Sequence, residues 1–250
     1  MDEKQIIENL LDIKEILDKH GIEHWLDWGT LLGAIREGKR IKWDHDADLS
    51  VMETELNKIN SVLSEIKEKN FVVMKAPISA SEFTFRRGGY GIDIWLYYSI
   101  NKDEWATSYY ELSGNRVAHI LWFLWRVLAP GYSDIDLPKK GFKFMITTLV
   151  KHSIFLFPYK FKESCAKAIK RILIRNNYIV CKRAVVPKQY LEKFKTVQFY
   201  GKSFSVPSDP EKYLEYKYGK YWRVPIKEWN PWEEDGAVKY ATKYNDKEHD

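Results

Sequence analysis

The sequence predicts a mixed α/β fold, a sheet of modest size flanked by helices, with a basic and apolar helical insertion in the second half of the chain. Three observations lead there. Over residues 1–100, segments with apolar residues at helical spacing alternate with short runs of strand character. Within them, Asp46-Ala47-Asp48-Leu49-Ser50-Val51 alternates polar and apolar residues, the period of a strand with one buried face. From Asn115 the composition shifts to Trp, Phe, Ile, Lys and Arg. A length of 250 residues with 45% hydrophobic content suits one domain, or one domain with a large insertion.

Taken in order, Asp2 to His20 carries Ile6, Ile7, Leu10, Leu11, Ile13 and Leu17 on one face, with Gly21 as a stop, and reads as an amphipathic helix. Glu23 to Trp28 reads as the first strand and Thr30 to Glu37 as a short helix ended by Gly38. Lys39 to Trp43 is then a basic loop leading into the acidic strand. Glu53 to Lys69 is a second amphipathic helix, with Leu56, Ile59, Val62, Leu63 and Ile66 on one side. Phe71 to Met74, Phe83 to Arg87 and Gly91 to Tyr98 read as strands, with a turn at Arg87-Gly88-Gly89. Asn115 to Leu128, Phe142 to Pro158 and Phe161 to Ile174 are the apolar, basic stretches of the insertion. None of them holds the eighteen or so uninterrupted apolar residues that a spanning helix needs. Near the C-terminus, Asp209 can cap a helix beginning at Pro210, and Gly219 can end it.

The net charge of +5 hides an asymmetry. Between Lys139 and Tyr190 thirteen Lys or Arg face a single acid, Glu163, a balance of +12 that leaves −7 for the rest of the chain. Such a split suggests a segment that meets an anionic surface. Two readings of it stand. In one, the helices lie in a membrane interface, Trp and Phe inserted and Lys and Arg on anionic headgroups. In the other, they form an internal, substrate-binding helical subdomain. No nucleic-acid motif accompanies the charge, so a nucleic-acid partner is not expected. Met1-Asp2-Glu3-Lys4 opens an acidic amphipathic segment, unlike a secretory signal, and Cys165 and Cys181 fall in no zinc or redox spacing. Both suggest a cytoplasmic setting.

The chemistry concentrates in residues 24–51. In a strand Asp46 and Asp48 point to the same side with their Cα atoms roughly 6–7 Å apart. Like charges so close need a cation between them, and hard Mg²⁺, which takes one or two carboxylates plus substrate phosphates, is the natural candidate. By itself the spacing equally suits an acidic turn facing water. Two further features bear on it. Gly29-Thr30 stands where a strand turns into a helix, a place where backbone N–H groups approach a phosphate. Asp93 interrupts the apolar strand Tyr90-Gly91-Ile92-Asp93-Ile94-Trp95-Leu96, where an unpaired carboxylate is expensive.

Gly29-Thr30, Asp46-x-Asp48 and the later Asp93 match the nucleotidyltransferase-fold pattern. The longer block, Gly29, Thr30, Leu31, Leu32, Gly33, Arg36, Gly38, Trp43, Asp44, Asp46 and Asp48, resembles the LicD family. That family includes bacterial phosphorylcholine transferases and is similar to the fukutin-related ribitol-phosphate transferases. Lys42 stands where the family often has proline. The stretch 202–222 is similar to the family's C-terminal block. The resemblance implies a nucleotidyltransferase-like core at 1–100, the insertion at 101–186, and a C-terminal block, 187–250, packing back on the core. It implies transfer of phosphocholine or a polyol phosphate from a CDP-linked alcohol to a hydroxyl of a cell-surface glycan or its lipid-linked precursor, at the inner face of the cell membrane. Asp46, Asp48 and Asp93 are then the catalytic acids and hold Mg²⁺ or Mn²⁺, with Asp44 as a further ligand. Asp93 would also take the acceptor's proton. Gly29 and Thr30 would hold the donor phosphate, with Arg36 and Lys42 as charge partners. A metal-dependent glycosyltransferase using a nucleotide sugar, and a nucleotidyltransferase moving NMP to a small molecule, are the alternative activities.

Overall fold

The computed structural model describes residues 3–75, 82–128 and 158–240. The fold is mixed α/β. Its centre is β2 (Asp46–Met52), the strand of the paired acids, which runs parallel to β5 (Tyr90–Ser99) in the register Asp46↔Gly91, Asp48↔Asp93 and Ser50↔Trp95. On its other side β2 pairs antiparallel with the short β1 (Trp25–Leu26), and β4 (Glu82–Arg87) pairs antiparallel with β5. β3 (Val72–Lys75) pairs with β4. The sheet continues through β6 (Glu104–Leu112) and β7 (Ile179–Pro187) and ends at β10 (Val238–Tyr240).

The chain divides into two compact units. The first holds Met1–Val73, Ser81–Tyr109 and Lys182–Tyr240. Its core is built from α1 (Glu3–Lys19), which buries Ile6, Leu10, Ile13, Ile16 and Leu17, and from α3 (Leu56–Glu68), which buries Ile59, Val62 and Ile66. These pack with Leu49, Val51, Ile92 and Ile94 of the sheet. The sequence expectation of one buried face on β2 is too small. All five residues from Ala47 to Val51 are buried, because helices and the C-terminal block cover the polar face as well. That block comprises a hairpin of β8 (Phe194–Phe199) and β9 (Lys202–Pro207). It continues into a helix that begins at Pro210, capped by the Asp209 side chain.

The second unit takes in Met74–Ala80, Tyr110–Cys181 and Ala241–Asp250. Its described part is a pair of packed helices, α4 (Arg116–Leu128) and α5 (Tyr159–Arg175), around Trp125, Ala166, Leu173 and Ile179. Trp122 and Trp125 lie with ring centroids 5.9 Å apart. Val117, Ile120, Phe161 and Ile172 are exposed. The expected stretch from Phe142 falls, up to residue 157, outside the described residues. No helix among the described residues is long and apolar enough to cross a membrane.

Candidate active site

The site begins at a helix start. Asp27 caps α2 (Trp28–Glu37), its Oδ1 accepting from the Trp28 N–H at 2.8 Å. Trp28 is therefore the first residue of the helix and not the end of the first strand. It sits in the left-handed region, φ 47°, which is unusual for a bulky side chain and turns the chain sharply. Gly29 follows, pressed against the acidic loop: a Cβ there would lie 2.4 Å from Asp44 Oδ2 and 3.7 Å from Asp48 Oδ2. Only glycine lets the helix start approach the carboxylates this closely. One turn on, a Cβ at Gly33 would lie 2.6 Å from the Lys39 carbonyl oxygen, so the second glycine of the block lets the basic loop fold back on α2.

The parallel register of β2 and β5 then sets Asp48 beside Asp93. Asp48 is buried and held from two directions. Its N–H donates to Thr30 Oγ1 at 2.7 Å, and its Oδ1 accepts from Trp95 Nε1–H at 3.1 Å. Thr30, expected at a donor phosphate, is itself buried and turned to Asp48; its hydroxyl orients the acid. Asp44, Asp46, Asp48 and Asp93 all line one cavity of about 480 Å³, together with Gly29 and Arg36. Arg36 is engaged with Glu37 at 2.7 Å. Lys42 is exposed and is not among the lining residues. The buried cation of that loop is Arg40, whose guanidinium donates to the carbonyls of Ile41 and Asp44 and so shapes the turn before β2.

The electrostatics are those of negative charge held close. Burial raises the Asp93 carboxyl to about 7, with the Asp46 charge adding to it and the Thr84 hydroxyl and Arg86 opposing. Burial likewise lifts Asp44 to about 7, again with Asp46, while the His45 N–H opposes. Asp48 is raised well above the carboxylate range by burial and then by Asp46, Asp44 and Asp93. Asp93 Oδ1 is buried with no hydrogen-bond partner. An all-oxygen, doubly crowded set with an unmet acceptor fits a hard divalent cation. Among the described residues no three acidic, His or Cys side chains are drawn tight enough to enclose an ion unaided. Mg²⁺ does not require that, since it keeps waters and substrate phosphates in its shell.

The sequence does not point to the rest of the lining. Tyr218, Tyr221, Trp222, Val224, Ile226 and Trp229, from the C-terminal block, line the cavity, as do Trp28, Trp43, Trp95 and Tyr109. Tyr221 is 67% exposed and Val224 58%, large apolar side chains standing at a cavity instead of in the core. The only sequence signal for them is the density of aromatics from Tyr213 to Trp232, which carries no period. The site thus combines carboxylates with aromatic faces, an arrangement able to take a polyphosphate together with a flat or cationic organic group.

Residues 21–120 match the LicD/FKTN/FKRP nucleotidyltransferase domain. The chain is similar to the proteins named ribitol 5-phosphate transferase FKRP of Mus musculus and of Homo sapiens. Each is 32% identical over 105 residues, which cover 36% of this chain and 20% of the relative. The chain thus spans about a fifth of the length of these curated relatives. A solution structure of the antibiotic-resistance factor ANT(2'')-Ia overlaps with a TM-score of 0.32 at 15% identity, over 71% of this chain and 95% of that one.

Proposed function

We propose that this chain, whose residues 21–120 match the LicD/FKTN/FKRP nucleotidyltransferase domain, is a phosphotransferase. It moves a phospho-alcohol group, phosphocholine or a polyol phosphate, from a CDP-linked donor to a hydroxyl of a cell-surface glycan or its lipid-linked precursor. The observation that carries this reading is the meeting of Asp44, Asp46, Asp48 and Asp93 with Gly29 in one aromatic-walled cavity. Phosphoryl-type transfer depends chiefly on positioning and on neutralising charge at the phosphates. Asp46, Asp48 and Asp93 would hold Mg²⁺ or Mn²⁺, which supplies that neutralisation. The tight turn at Trp28-Gly29 admits the donor's phosphates beside the acids, Thr30 holds the Asp48 backbone and Trp95 its carboxylate, and the aromatic wall receives the organic part of the donor. Asp93 would also take the proton of the attacking hydroxyl, directly or through the metal it shares.

The second unit extends the reading to localisation. On α5, Lys160, Lys167, Arg171 and Arg175 are exposed near Phe161 and Ile172, an amphipathic surface suited to an anionic leaflet at which a lipid-linked acceptor would be met.

The test is incubation with a panel of CDP-alcohols and surface glycans with Mg²⁺ or Mn²⁺, followed by mass spectrometry of the products. Release of CMP with a mass gain of one phospho-alcohol on the glycan is expected, and EDTA should abolish it. Turnover of a UDP-sugar, with no response to any CDP compound, overturns the reading in favour of a glycosyltransferase.

A further inference from the structure

Lys217 lies in the last turn of α6 (Pro210–Tyr218), where the sequence shows only an ordinary helical lysine, yet its side chain is fully buried. Its ammonium stands 3.8 Å from Asp27 Oδ1 and 3.6 Å from Asp235 Oδ2 and makes no hydrogen bond. Its nearest partner is a ring: Nζ lies 3.3 Å from the centroid of Trp28. A lysine placed simply to neutralise two aspartates would sit within hydrogen-bond reach of one of them. This one is pressed on an indole face, where a desolvated cation–π contact is at its strongest.

What lies beyond that ring connects to the acids. Trp28 packs on Trp95 with centroids 5.1 Å apart, and Trp95 Nε1–H donates to Asp48 Oδ1 at 3.1 Å. Trp28 is also the residue held at φ 47°, a strained backbone that persists only where its surroundings over-determine it. The surroundings are Asp27, which also accepts from Ser50 Oγ at 2.8 Å and Tyr213 O–H at 2.9 Å, and Lys217 on the Trp28 ring.

We propose that Lys217 is a positioning residue of the aspartate site: its ammonium clamps the Trp28 ring, Trp28 seats Trp95, and the Trp95 N–H orients the Asp48 carboxylate for a divalent cation. The inference rests on the metal-dependent reading above only in its last step. The C-terminal block thereby completes the site chemically, beyond packing on it.

The test uses the full chain and two readouts. Removing Lys217 alone leaves two buried carboxylates facing each other and endangers folding. The working variant is therefore Lys217→Met with Asp235→Asn, which keeps the net charge of the buried cluster, compared against Asp235→Asn alone. In a ¹H–¹⁵N spectrum Trp95→Phe identifies the Trp95 indole resonance. That resonance should move in the Lys217→Met/Asp235→Asn protein and stay in Asp235→Asn, with the Trp122 and Trp125 resonances unmoved in both. An unmoved Trp95 resonance overturns the clamp, whatever the protein does with metals. Mn²⁺ affinity should fall roughly tenfold on Lys217→Met in the Asp235→Asn background and roughly tenfold on Trp95→Phe. Combining the two should lose little more, since they act in series. Losses that multiply overturn the series arrangement. Absence of Mn²⁺ binding by the unaltered chain overturns the metal reading instead, and the resonance still decides the clamp.

Discussion

Asp93 shows how a residue of the candidate site opposes the stability of the fold that holds it. Burial and the nearby Asp46 raise its carboxyl to about 7 from an ordinary 3.8, so the folded chain holds a proton there that the unfolded chain has released. Folding is therefore penalised as pH rises from about 4 through 7, and the penalty is full above it. With EDTA present, Asp93→Asn should raise the melting temperature at pH 8, and the gain should shrink steadily as pH falls through about 7 and be lost below about 4, where wild type becomes protonated in both states. A loss of stability at pH 8 would mean the carboxylate is compensated in the apo protein after all. The same substitution should abolish transfer. Gly29 makes the complementary case. A Cβ 2.4 Å from Asp44 Oδ2 must displace that carboxylate, so Gly29→Ala should cut Mn²⁺ affinity on the order of tenfold. Undiminished binding in a calorimetric titration would show that Asp44 is no part of the metal site.

Among the elements, α1 is tied to the sheet by one arginine. Arg87, at the end of β4, donates to Asp12 Oδ2 at 2.5 Å, to Asn9 Oδ1 at 2.9 Å and to the Lys69 carbonyl at 3.2 Å, and stacks 4.3 Å from the Phe71 ring. Arg87→Met should cost about 2 kcal/mol, read as a lower denaturant midpoint. Partial burial disfavours the Asp12 charge, but hydrogen bonds from Arg87 and Lys69 overcome it and hold the carboxyl below its ordinary value. That contribution is present above the ordinary carboxylate range and is lost as pH falls through the lowered value. The gap between wild type and Arg87→Met should accordingly narrow in acid; a constant gap would assign the loss to packing alone.

The elements also show what the sequence can and cannot carry. The helices from Glu3 and Leu56 and the strands at 46–52, 82–87 and 90–99 are legible because each has a local period. The start of α2 is not, since its cap, Asp27, sits inside a run of aromatic and apolar residues that reads as strand. β6 and β7 are missed because their sequences, Glu-Trp-Ala-Thr-Ser-Tyr-Tyr-Glu-Leu and Ile-Val-Cys-Lys-Arg-Ala-Val-Val-Pro, mix polar and apolar residues without clean alternation. The four aspartates are legible because three are neighbours in sequence and the fourth stands alone in an apolar strand. Their supports are not: Trp95, Lys217 and the wall from Tyr218 to Trp229 reach the site through tertiary contacts that leave no local spacing.

On the scale of the whole molecule, the aspartate cavity lies within the first unit, and the cationic surface lies on the second. Lys160, Lys167, Arg171 and Arg175 recur four or seven residues apart on α5, so they share a side of the helix with Phe161 and Ile172 nearby. Each cation near an anionic leaflet contributes about 1 kcal/mol, and the attraction fades within roughly 10 Å at ordinary salt. On the proposed reading, four together would give reversible attachment, of the strength needed to visit lipid-linked acceptors and leave again. Sedimentation with vesicles containing phosphatidylserine should show binding that weakens steeply with salt, and changing all four residues to Glu should abolish it. The same change should slow transfer to a lipid-linked acceptor while sparing a short soluble one, because none of the four lines the cavity. Equal loss on both acceptors, or no vesicle binding at low salt, would assign α4 and α5 to an internal subdomain.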